Sequence, residues 1–173
     1  MLSIPTEESI TVEWFNACFA KAGLTGEVNG FDAARVGTGQ IGKCVRYTLR
    51  FKDQGELPKS VIGKFPSDDE NSRQTGVVLL NFLKEVKFYQ ELQQRVAIKT
   101  PRCYFAEITD QGPEFFLLLQ DLAPAQQGDQ LAGCSPQVAK AALAELVGLQ
   151  APAWCDETLH DLKWLRDAEA AAL

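Results

Sequence analysis

The sequence contains a single histidine, His160. A multi-histidine metal centre is thereby excluded, and a Ser–His or Cys–His nucleophile pair would have to use that one residue. The five cysteines, Cys18, Cys44, Cys103, Cys134 and Cys155, stand singly with no C-x-x-C pair, a usage that fits reduced cytosolic thiols better than a disulfide framework. No apolar run approaches the roughly 18 uninterrupted residues of a membrane-spanning helix. The N-terminus carries Glu7 and Glu8 where a secretion signal would carry basic residues. Together these absences predict a cytoplasmic protein. Positive charge is also short: 17 Lys plus Arg against 23 Asp plus Glu leave a net charge of −6. Such a surface repels a phosphate polymer, so nucleic acid is not an expected partner, and without an apolar span neither is a membrane.

The rest of the composition is that of a folded chain. Of 173 residues 46% are hydrophobic and 23% charged, which suits one domain, or one and part of a second, and excludes disorder.

Residues 9–22 place Ile10, Val12, Trp14, Phe15, Cys18 and Phe19 at three- and four-residue spacing, predicting an amphipathic helix ended by Gly23. Gly26 to Ala34 reads as a turn-rich connection. Cys44 to Lys52 alternates Val45, Tyr47, Leu49 and Phe51 with polar neighbours and predicts a strand. A second strand spans Ser60 to Phe65, closed by Pro66 and the polar run Ser67 to Ser72. Val78, Leu79, Phe82, Leu83, Val86, Tyr89 and Leu92 then keep a helical period, predicting one long helix over Thr75 to Gln94. Two further strands are predicted, Arg102 to Ile108 and Phe115 to Leu119, around a turn at Asp110 to Gly112. Ser135 and Pro136 have the chemistry of an N-cap and first-turn proline for a helix over Val138 to Leu149.

Gly37-Thr38-Gly39-Gln40-Ile41-Gly42 completes a G-x-G-x-x-G, a pattern that ordinary turns also produce. In a dinucleotide-binding fold the last glycine would open a helix, but Lys43 to Lys52 alternates as a strand and no acidic residue follows at the required distance. A nicotinamide-dependent oxidoreductase is therefore a minor alternative, and a strand directly after Gly42 would eliminate it. The other use of such glycines is a hairpin folded over nucleotide phosphates, where missing side chains let backbone N–H groups approach the oxygens. That arrangement needs a lysine on a neighbouring strand and a helical glutamate to hold it. Val61-Ile62-Gly63-Lys64 supplies the lysine, 22 positions after Gly42, and Glu85 supplies the glutamate, 21 positions later. Either residue alone would read as a solvated surface charge. The ordered set of three features is what points to a kinase, with the apolar strand Phe116 to Leu119 following as a wall for an adenine ring.

With these residues in view, the chain resembles the aminoglycoside-phosphotransferase-like kinases, nearest to the choline-kinase-like and ecdysteroid-kinase-like branch. The resemblance spans nearly the whole chain. Besides the glycine loop and Lys64 it rests on Glu85-Val86-Lys87-Phe88-Tyr89, Leu118-Leu119-Gln120-Asp121-Leu122, Gly128-Asp129-Gln130-Leu131-Ala132-Gly133-Cys134-Ser135 and Leu149-Gln150-Ala151-Pro152-Ala153-Trp154. It implies an α+β fold: a protein-kinase-like small lobe over residues 1–123, with an antiparallel sheet of about five strands, an N-terminal helix and the long helix carrying Glu85. A linker at 124–134 and the start of a helical second lobe at 135–173 would follow. It also implies ATP and Mg2+, with Gly37, Thr38, Gly39, Gln40, Ile41 and Gly42 over the phosphates, Lys64 on the alpha and beta phosphates and Glu85 as its partner. Gln120 and Leu122 would offer backbone groups to adenine, and the acceptor would be a small-molecule hydroxyl. The sequence departs from the family where Gln120 replaces a usual Glu and Gln150 a usual His.

Phosphoryl transfer needs more than this: an H-x-D-x-x-x-x-N and a following metal-binding aspartate. His160-Asp161-Leu162 lacks that spacing and no asparagine follows Asn81. The expectation is a truncated kinase, with the run from Ala168 to Leu173 a helix cut in its middle, ATP binding weak or absent and no turnover. The 136–149 helix would then expose an apolar stripe and promote self-association. The alternative is a noncatalytic nucleotide-binding or regulatory module that keeps the small-lobe shape.

Overall fold

The computed structural model describes residues 2–37, 39, 41–126, 128–129 and 131–166. The fold is α+β, built on one five-stranded antiparallel sheet. Its strands are β1 (Glu27–Val36), β2 (Gly42–Asp53), β3 (Ser60–Pro66), β4 (Cys103–Ile108) and β5 (Phe115–Gln120), in the spatial order β1-β2-β3-β5-β4. A strand starts at Gly42 and all four strand pairings are antiparallel, which eliminates the dinucleotide-binding alternative.

One face of the sheet is covered by α1 (Val12–Lys21). Thr11 caps it by accepting the Trp14 N–H at 3.2 Å, and Trp14, Phe15, Cys18 and Phe19 form its buried stripe. Against that stripe lie Val45, Tyr47, Val61, Phe65, Phe116 and Leu118. The opposite face packs Phe115, Leu117 and Leu119 against Phe82 and Val86. Because β5 is buried on both faces, its sequence is an unbroken apolar run instead of an alternation.

Two predicted elements differ. The stretch predicted as a connection, Gly26 to Ala34, is strand from Glu27 onward: β1 sits at the edge of the sheet, most of its side chains stay in water, and so it shows no apolar alternation. The predicted helix over Thr75 to Gln94 is also broken. Helix α2 (Glu70–Val78) begins inside the polar run, capped by Asp69, which accepts the Ser72 N–H at 2.8 Å. After α2 the helix is interrupted at Leu80, a buried residue with φ 56°, and restarts as α3 (Asn81–Lys87). Phe82 can then lie over Gly76 and stack on Phe115 at 4.5 Å between centroids. Beyond Lys87 the helix widens into a π turn at Phe88–Leu92 and tightens into a 3-10 turn at Gln93–Arg95.

Helix α4 (Pro136–Ala153) is capped by Ser135, which accepts the Val138 N–H at 3.3 Å, and runs four residues past the predicted Leu149. It meets the segment before β4 at Gly148, whose carbonyl accepts the Ala97 N–H at 2.8 Å. A Cβ at Gly148 would lie 2.7 Å from the Ile98 nitrogen, so only glycine allows this approach. Lys99 pairs with Glu145 at 2.8 Å alongside. A 3-10 turn at Glu157–Asp161 leads to the single turn α5 (Lys163–Arg166). The predicted helical run from Ala168 to Leu173 lies outside the described residues. Among the described residues no helix is long and apolar enough to cross a membrane.

Candidate functional site

The sheet register fixes which side chains share the face opposite α1. Val36, Cys44, Lys64 and Leu117 are successive cross-strand partners, and so are Ala34, Arg46, Ile62 and Leu119. Directly paired residues point to one face. Leu117 and Leu119 are buried beneath α3, whereas Val36, Cys44, Arg46 and Ile62 are half-buried and Ala34 is exposed. A half-buried floor of Val36, Cys44 and Ile62, with Arg46 at its far end, therefore adjoins Lys64.

Lys64 reaches across to α3, where its ammonium donates to both carboxylate oxygens of Glu85 at 2.7 and 2.6 Å. Phe82 and Val86, on either side of Glu85, are the apolar contacts that seat α3 on the sheet. The two charged side chains keep 28% and 32% of their surface, so this is an ion pair at the edge of a cleft and not a core pair. Gly42 lies beside the lysine: a Cβ there would come within 3.4 Å of Lys64 Cε and 3.0 Å of the Phe65 carbonyl. Burial pushes the neighbouring Cys44 thiol up, partly offset by the Lys64 ammonium. It also pushes Tyr89 to about 12, with the Glu85 carboxylate adding to the effect.

The glycine segment is the hairpin between β1 and β2. Gly37 has φ +73°, a conformation that L side chains rarely adopt, and a Cβ on Gly39 would overlap the Gly42 carbonyl. Ile41 anchors the hairpin, with its side chain packed on the Phe82 cluster and its carbonyl accepting the Ser67 N–H at 3.2 Å. Thr38 and Gln40 lie outside the described residues. The basic residues flanking the loop are already engaged: Lys43 bonds Glu7 at 2.8 Å and Asp68 at 2.6 Å, and Arg35 bonds Asp68 at 3.3 Å. Burial alone would lower the Lys43 ammonium, but these carboxylates raise it.

At the far end of the open face, Asp121 fixes the corner after β5. Its side chain is 5% exposed and accepts the Arg46 guanidinium at 2.6 and 3.1 Å, the Ser60 hydroxyl at 2.7 Å and the Ala123 N–H at 3.0 Å. Burial would raise its carboxyl; the Arg46 and Ser60 contacts instead hold it below the usual carboxylate range. Gln120 is tied back to β4, donating its N–H to the Arg102 carbonyl at 2.8 Å. Leu122 accepts the Ala125 N–H at 2.9 Å, and its own N–H has no partner among the described residues. The structure thus brings Lys64, Glu85, Gly42 and, at the far end, Asp121 to one face of the sheet, whereas Gln120 pairs with Val61 of the α1 face. Sequence reasoning missed the Arg46–Ser60–Asp121 network, because its members are 61 and 75 positions apart and no local pattern links them.

Other motif residues lie apart from this face or act locally. Asp129 accepts the Leu131 and Ala132 N–H groups at 2.9 and 3.3 Å, forming a turn, while Gln130 lies outside the described residues. Trp154, at the end of α4, is exposed, and so is His160. A cavity of about 570 Å³ is lined by the N-terminal segment, Lys43, Phe65, Arg73 and Phe115 and not by Lys64 or Glu85. Among the described residues no group of three or more His, Cys, Asp or Glu could hold a metal ion. The Mg2+ implied by the resemblance finds no such group among the described residues.

Compared with protein families and with curated proteins, the chain matches none. What the site can do is decided by its own geometry.

Proposed function

We propose that this chain is the ATP-binding lobe of a small-molecule phosphotransferase, with a protein-kinase-like small-lobe fold. The observation that carries this reading is the two-oxygen grip of Glu85 on Lys64 beside a glycine hairpin whose last glycine leaves room for the lysine stem, since a Cβ there would lie 3.4 Å from Lys64 Cε. A strand lysine held extended by a helical glutamate is the arrangement that neutralises nucleotide phosphates in kinases. Lys64 takes the alpha and beta phosphates, and backbone N–H groups of residues 37–42 cover them. Ile62 and Cys44 line the base pocket, and the Gln120 carbonyl and the Leu122 N–H are the backbone groups offered to the adenine. Sheet order supports the assignment, because β3 is flanked by the hairpin strand β2 on one side and by β5, which leads to that corner, on the other.

The 173 residues include no H-x-D-x-x-x-x-N, so they supply nucleotide binding and no acceptor-side base. Titrating the 15N-labelled protein with ATP is expected to shift the amides of Gly37 to Gly42, Lys64 and Leu122. Lys64→Ala is expected to weaken that binding about tenfold, roughly what one charge-assisted contact contributes. Shifts confined to other surfaces, or an affinity unaltered by Lys64→Ala, would overturn the reading. A phosphotransfer rate abolished by Lys64→Ala would overturn the inactivity.

A further inference from the structure

Helix α3 has weak boundaries at both ends. It starts on the left-handed Leu80 and passes after Lys87 into π and 3-10 turns. Seven residues make too short a helix to hold its own shape in water, so external contacts decide its position. At the sheet those contacts are Phe82 and Val86.

At the other end they come from β4 and the segment before it, through Tyr89, Gln90 and Gln93, and from the chain's C-terminal part. Glu91, in the π turn, accepts the Lys87 ammonium at 2.7 Å and the Trp164 indole N–H at 2.8 Å. Trp164 is buried, and α5 lies against α3. One turn further, Arg95 donates to Asp156 at 2.6 Å and also bonds Thr158. The Lys87 ammonium, opposed by burial and joined by the Trp164 indole, holds the Glu91 carboxyl below its usual range.

We propose that Trp164 and Glu91 are positioning residues for Glu85: by clamping the C-terminal end of α3 they set the helix rotation that lets Glu85 reach Lys64. The consequence for ATP rests on the nucleotide reading above; the clamp itself does not. A Glu85 aimed at Lys64 needs α3 held at both ends; at its far end the sheet side is held by Gln90 on the Ala106 carbonyl at 2.9 Å and by Gln93 on Thr100 and Pro101, and the outer side by Trp164 on Glu91. When the clamp is released α3 pivots at Leu80 and the Lys64 ammonium is left free.

The test is the acetylation rate of individual lysines, read by peptide mass spectrometry in the full chain. Glu85→Ala gives the rate of an unpaired Lys64, and exposed Lys59 is the internal reference. Trp164→Ala and Glu91→Ala are each expected to raise Lys64 labelling about threefold, toward the Glu85→Ala value, with Lys59 unchanged. Glu91→Ala also frees Lys87, whose faster labelling shows that the substitution acted. Should Trp164→Ala fail to fold, Glu91→Ala carries the test. Unchanged Lys64 labelling in natively folded Glu91→Ala protein would overturn the proposal. If the unaltered protein binds no ATP the nucleotide reading fails, while the labelling still decides the clamp.

Discussion

Asp121 holds four donors at a corner where the chain leaves the sheet, and its charge matters to folding as well as to the site. With its folded-state carboxyl below the ordinary value of about 3.9, the contribution is complete above that pH and disappears as the pH falls through the lower folded value. Asp121→Asn is expected to cost about 1–3 kcal/mol at neutral pH, measured by urea unfolding, because it leaves the Arg46 guanidinium without its counter-charge. It should also flatten the loss of stability below pH ~4 relative to the unaltered protein. An unchanged acid limb would show that other carboxylates dominate. At this scale Lys64 and Glu85 were legible in sequence, since each sits inside a recognisable element at a telling distance from the glycines. Arg46 and Ser60 were not, because a polar residue on a strand's exposed register carries no mark of the partner it will find.

Among the elements, the break between α2 and α3 has the largest effect on the site. Helical periodicity runs straight through Val78 to Leu83, and nothing local forbids a continuous helix there. The interruption comes from packing: Phe82 occupies the space over Gly76 and stacks on Phe115, with Ile41 of the hairpin alongside. A Cβ on Gly76 would overlap the Phe82 ring and lie 2.8 Å from Ile41 Cγ2. Gly76→Ala is thus expected to destabilise the fold by about 1–3 kcal/mol despite alanine's better helix propensity. A gain in stability, read as a higher urea midpoint, would mean that Phe82 moves aside at little cost. Strand β1 was hidden for a related reason, since an edge strand with most side chains in water needs backbone pairing but no apolar alternation.

For the molecule as a whole, the sheet is filled on both faces under β5 and left open under β1, β2 and part of β3, while α4 turns an apolar face outward. Val138, Leu143, Val147 and Trp154 are 57%, 64%, 61% and 78% exposed. Val147→Glu is accordingly expected to change unfolding free energy by less than about 0.5 kcal/mol. A larger loss in chemical denaturation would show that this face is covered in solution. The sequence by itself determined the α+β composition, four of the five strands, the α1 and α4 helices and the Lys64–Glu85 pairing, because each leaves a periodic or spaced trace in consecutive residues. Tertiary structure alone decided the edge strand, the helix break at Leu80, the Asp121 corner and the Trp164–Glu91 contact. Those depend on which distant side chains meet in space, and a meeting of that kind is enforced by close packing and buried hydrogen bonding, not by the order of neighbouring residues.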